Sequence, residues 1–157
     1  MSPSIKIVRY PYEEPYHLNL VMDATSGRLR GRLEFYCNAS DLVELAEELE
    51  AFPRHASAVY LWELGTEKDE DRFAHYFRFR LFTTDSVANS AIQLRFNNNR
   101  ELPEREISEF CIEAETSGIN KLGKLVRKFS ELKHEVLYWE PLGGDLFMTK
   151  KDAEPVA

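Results

Sequence analysis

Four histidines (His17, His55, His75, His134) and two cysteines (Cys37, Cys111) are the side chains here best suited to metal binding or nucleophilic chemistry. Their spacing supports neither. A zinc site needs several His, Cys or carboxylate ligands converging, and the chain holds no C-x-x-C and no His pair at i, i+4. It has no G-x-S-x-G elbow, and its seven glycines are scattered, so neither a serine nucleophile nor a phosphate-binding loop is written in. His75 falls on the strand face of Phe73, Phe77 and Phe79 and reads as a hydrogen-bonded core histidine. His17 and His55 read as surface or rim groups. Cys37 and Cys111 sit in strand-like segments and read as buried or half-buried free thiols, because free Cys packs as a small hydrophobe. The run Glu67-Lys68-Asp69-Glu70-Asp71 lacks the alternating ligands and turn glycine of an EF-hand, and reads as a solvated loop. The chain is expected to be no enzyme and to carry no cofactor and no metal.

What remains is recognition chemistry. Segments 28–37, 72–83 and 90–98 alternate apolar with polar residues, the period of a half-buried strand. Their polar faces would carry Arg30, Arg32 and Tyr36, then Tyr76, Arg78 and Arg80, then Arg95. Arg and Tyr are enriched where proteins bind one another, so these seven residues form the candidate partner-binding set. The plain alternative is cross-strand Arg–Glu pairing with Glu34, Glu109 and Glu113, worth about 0.2–1 kcal/mol a pair. A rival surface is the acidic helix bearing Asp41, Glu44, Glu47, Glu48 and Glu50.

The composition sets the frame. The 157 residues are 43% hydrophobic, enough for a core, so wholesale disorder is excluded. A formal charge of −7 argues against non-specific nucleic-acid binding, which needs a surplus of Lys and Arg. No apolar run approaches the roughly 20 residues of a membrane span, and no secretory signal is visible at the start. A cytoplasmic protein is the expectation.

The elements that would position these groups follow from periodicity. Residues 6–10 read as a short strand, an edge or lead-in because Pro11 and Pro15 interrupt it. Residues 17–23 and 28–37 read as a hairpin, with Leu29, Leu33, Phe35 and Cys37 on its dry side. Ser40 is a plausible helix N-cap, and Leu42, Leu45, Leu49 and Phe52 form one apolar stripe up to Pro53. Four strand-like segments follow (56–64, 72–83, 90–98, 106–114). A second helix has the stripe Ile119, Leu122, Val126 and Phe129, and a last strand covers 136–139. The order predicts an α+β fold, a mostly antiparallel sheet with two amphipathic helices packed on one face. Residues 1–141 would be a single domain, and 142–157 a C-terminal extension with a partly disordered end. The first helix is acidic and the second basic (Lys121, Lys124, Arg127, Lys128), which predicts attraction if they lie side by side. The two strand–helix stretches also echo one another, leaving an internal duplication open.

The segment Gly31-Arg32-Leu33-Glu34-Phe35-Tyr36-Cys37-Asn38-Ala39 with Leu42, Leu45, Leu49 and Phe52-Pro53, and the later Glu109-Phe110 strand followed by Leu122-Gly123, Leu125 and Phe129, is similar to a family of small uncharacterised bacterial proteins. That family resembles immunity proteins of polymorphic-toxin and contact-inhibition systems. The resemblance spans about residues 5–140 and rests on packing motifs, so it carries over no functional residue. It implies a cytoplasmic α+β protein that binds and blocks a toxin. Two other readings stay open. One is a small-ligand binder or enzyme with a pocket between sheet and helices lined by Trp62, His75, Phe77 and Phe79. The other is a structural protein that self-associates, a homodimer for instance, through an edge strand.

Overall fold

The computed structural model describes residues 2–72 and 74–156. The chain runs β1 (Ser4–Glu13), β2 (His17–Thr25), β3 (Arg30–Cys37), α1 (Ala39–Ala51), β4 (Val59–Leu64), β5 (Tyr76–Thr83), β6 (Asn89–Asn97), β7 (Ile107–Glu115), α2 (Thr116–Phe129), β8 (Val136–Glu140) and β9 (Gly143–Phe147). The fold is α+β and every strand pairing is antiparallel, but there are two sheets, ordered β3-β2-β1-β8-β9 and β4-β5-β6-β7. Their arrangement is a topological repeat. Each half is a three-strand meander, a helix and a further strand. In each half that further strand leaves its own meander: β4 pairs with β5, and β8 pairs with β1. The helix carries the chain across to the other sheet, so the internal echo has a counterpart in topology.

Both dry faces and both helices share one continuous core, including Ile7, Leu33, Phe35, Leu49, Phe77, Phe79, Ile112, Leu122 and Trp139. Each such side chain gains about 1.5–3 kcal/mol on burial. Close approaches need glycine at two points. A Cβ at Gly31 in β3 would lie 2.1 Å from the Phe96 ring of β6, and one at Gly123 in α2 would lie 2.7 Å from the backbone nitrogen of Glu50. At the helix crossing the Asn120 amide donates to the carbonyls of Leu49 (2.9 Å), Glu50 (3.2 Å) and Phe52 (2.9 Å), which serves the end of α1 where carbonyls lack helical partners. Arg127 Nε donates to Glu50 Oε1 at 2.6 Å, so the acidic and basic helices do attract across the layer.

Several local expectations change. β1 is central, between β2 and β8, and extends through Pro11, whose missing N–H is tolerated near the strand end. The first helix is capped by Asn38 rather than Ser40, with the Asn38 N–H donating to Asp41 Oδ2 at 2.8 Å. Leu29 lies in the turn before β3 and is exposed, not on the dry side with Leu33. β5 begins at Tyr76, so His75 lies in the preceding loop and is exposed. It is not a core histidine, because alternation no longer governs a residue outside the strand. Phe73 lies outside the described residues. The stretch after Pro141, expected as an extension with a loose end, contributes β9. Beyond it the chain crosses the outer face of the first sheet. Lys150 Nζ sits 4.6 Å above the Tyr10 ring, Ala153 is buried, and Pro155 and Val156 line one cavity with Ser4, Thr25 and Tyr138.

Candidate functional site

The seven candidate residues divide between the two sheets. Arg30, Arg32 and Tyr36 lie on the outer face of β3, whereas Tyr76, Arg78, Arg80 and Arg95 lie on β5 and β6. They do not form one surface.

Those of the second sheet are largely occupied with one another. Glu63, Arg78, Arg95 and Glu109 stand in one cross-strand row. The Tyr76 hydroxyl donates to Glu63, and Arg78 Nε donates to the Tyr76 oxygen at 2.9 Å. Arg95 Nε donates to Glu67 Oε2 at 2.9 Å, and the Asn97 amide binds the same carboxylate. Glu67, read as part of a solvated loop, is thus pulled onto the sheet. Partial burial alone would raise its pKa, but the hydrogen bonds from Asn97 and Arg95 and the positive charge of Arg95 outweigh this and hold it below the usual carboxylate range. Tyr76 is only 3% exposed, and its phenol is shifted up by burial and by its bond to Glu63. Such pairs brace a sheet face, each with a small contribution. Arg80 forms no ion pair among the described residues and stacks over Phe82 at 4.8 Å.

The first sheet offers a different surface. Tyr10 and Tyr36 flank Asn19 in one cross-strand row. Tyr12 meets Tyr36 edge-on at 6.2 Å, and Tyr16 stands in the β1–β2 turn. All four rings are solvent-facing, with exposures of 41% (Tyr10), 64% (Tyr12), 73% (Tyr16) and 59% (Tyr36). Only Tyr36 belonged to the expected set. The turn that presents the others is anchored at its base. Arg9 Nη1 donates to both Glu14 oxygens (2.8 and 2.6 Å), and the Ala39 N–H donates to the Pro15 carbonyl at 3.1 Å. A rigid base under exposed rings is what recognition requires, because an aromatic contact then costs little side-chain entropy.

The pocket expected between sheet and helices is filled. Phe77 and Phe79 are 0% and 2% exposed, and Trp62 packs edge-on against Phe77 with ring centroids 5.6 Å apart. His75 is exposed in the loop before β5 and is not part of this packed cluster. Among the described residues no group of His, Cys, Asp and Glu is placed to hold a metal ion, and no helix is long and apolar enough to cross a membrane. The edge strand β4 leaves Val59 and Leu61 about half exposed, at 55% and 49%.

Cys37 fits the expected half-buried thiol, and Cys111 does not. Cys37 is half-buried, and burial together with the nearby Asp41 carboxylate pushes its thiol up to about 12. Cys111 is exposed on the outer face of β7. Since the thiolate is the reactive species, at pH 8 only about one Cys37 in ten thousand is reactive at any instant. A disulfide reagent should therefore label Cys111 promptly and Cys37 at least ~100-fold more slowly. Cys111→Ser should leave only the slow phase. Two equal fast phases would contradict this placement.

No protein-family model, curated protein or solved structure matches this chain.

Proposed function

We propose that the protein is a non-enzymatic protein-binding module whose contact surface is the tyrosine corner of the first sheet. The observation that carries this is the gathering of Tyr10, Tyr12, Tyr16 and Tyr36, all exposed, at one braced end of a sheet. Tyrosine supplies a large apolar ring and a polar tip on a short side chain, and it is over-represented among residues that dominate binding energy. The sequence resemblance supports a narrower form of the proposal, in which the partner is a toxin and binding blocks it.

The test places a photo-crosslinking residue at Tyr16, and at Ala51 on the exposed side of α1 as control, in cells that make the protein. The expected result is one partner crosslinked from position 16 and not from 51. Tyr12→Ala combined with Tyr36→Ala should weaken the purified complex by roughly 30-fold or more, the effect of losing at least one dominant anchor. A partner captured only from position 51, or an affinity unchanged by the double variant, would overturn the proposed surface. A partner that stays fully active when saturated would overturn the blocking role alone.

A further inference from the structure

A second feature lies where the two sheets meet. Between β3 and the loop joining β6 to β7 is an open cleft of about 530 Å³, within the roughly 300–1,000 Å³ range of small-molecule sites. Arg30 and Arg32 enter it from β3, Arg105 from the loop before β7, and His75 from the loop before β5. Their convergence has a local cause. Gly31 is pressed against the Phe96 ring, so its neighbours Arg30 and Arg32 both point outward beside the junction.

The three guanidiniums at this cleft are unequally paired. Arg32 is paired with Asp23 at 2.9 Å, and Glu106 lines the cleft. Arg105 reaches Glu101 only at 3.6 Å, while its Nε donates to the Arg100 carbonyl. Arg30 is thus the guanidinium of this cleft with no carboxylate partner among the described residues, on a chain whose net charge is −7. One side of the cleft is apolar. Ile107 is 48% exposed there, beside Leu33 and the edge of Phe96.

We propose that this cleft binds a nucleoside phosphate. Guanidinium forks match phosphate oxygens with paired hydrogen bonds, which a single ammonium does not reproduce. Arg30 and Arg105 would grip the phosphates, and the base would lie on Ile107. A local cluster of this size serves one nucleotide. It does not serve a polymer, which the surrounding negative charge repels.

The test is calorimetric titration of the full chain with ATP, GTP, CTP and UTP, with pyrophosphate and a tetra-aspartate peptide as separate arms. At least one nucleotide should bind saturably. Arg30→Gln combined with Arg105→Gln should weaken that binding roughly tenfold or more, and Arg28→Gln, outside the cleft, should leave it unchanged. Far-UV circular dichroism and the slow labelling of Cys37 verify that each variant is folded. Pyrophosphate should bind at least ~10-fold more weakly than the nucleotide, since it lacks the apolar contact. The proposal is overturned if no nucleotide binds saturably or if binding ignores the double variant. Equal binding of pyrophosphate or of the acidic peptide overturns it too, by showing a general anion site.

Discussion

Trp139→Ala should cost about 3–5 kcal/mol of folding stability, the range for emptying a fully buried large aromatic site. The indole is 0% exposed. It stands on β8, the strand that leaves the second meander and pairs with β1, Trp139 lying opposite Ile5. Its Nε1 reaches back to the Gly118 carbonyl in the first turn of α2, at 2.9 Å. One side chain therefore ties the exchanged strand to the helix of its own half. Trp139→Phe keeps most of the apolar volume and loses the donor, so its cost should fall to about 1–2 kcal/mol. Urea unfolding measures both. A Trp139→Ala midpoint shift worth less than about 1 kcal/mol would show that β8 is held by its ladder alone.

The strand exchange was not legible in the sequence, for a physical reason. Alternation in 28–37, 72–83, 90–98 and 106–114 reports which side of each strand is dry. A period of two carries no information about which strand lies alongside. β4 and β8 are short, six and five residues, and their apolar residues would serve equally in a sheet with their own meander. Alternation does report the dry side of each strand. Leu33 and Phe35, Phe77 and Phe79, and Phe110 and Ile112 are all buried on the expected side. The helix stripes also hold, with Leu42, Leu45, Leu49, Ile119, Leu122, Val126 and Phe129 all buried.

The candidate site was less legible. By sequence Arg78 and Arg95 fall with Arg30 and Arg32 because each occupies a polar strand position. Polar parity does not distinguish a free arginine from one committed to a neighbouring carboxylate, and Glu67 comes from a loop outside the strand pattern. The tyrosine corner was missed because Tyr10, Tyr12 and Tyr16 surround two prolines, which read as an interruption of the strand. One signal was available. Cys111 shares parity with Glu109 and Glu113, so the wet-face assignment of those glutamates already implied an exposed thiol.

Arg9→Met should destabilise the protein by about 1.5–3 kcal/mol, the cost of losing charge-assisted hydrogen bonds to a half-buried carboxylate. Arg9 is 5% exposed and occupies an inward-facing position, opposite Leu20. Besides its two bonds to Glu14, its Nε donates to the His134 carbonyl (3.1 Å) and its Nη2 to that of Leu132 (3.2 Å). Methionine fills much of the space and satisfies none of these acceptors. Adding Glu14→Leu removes the stranded carboxylate, so the double variant should be more stable than Arg9→Met alone. It should still fall below wild type, because the Leu132 and His134 carbonyls lose their charged donor. The same side chain braces the turn that carries Tyr16. Arg9→Met should therefore also weaken the proposed partner complex without altering any tyrosine. If the double variant is no more stable than the single one, the Arg9–Glu14 pair is not coupled. The tyrosine corner would then owe its position to the Ala39–Pro15 backbone bond.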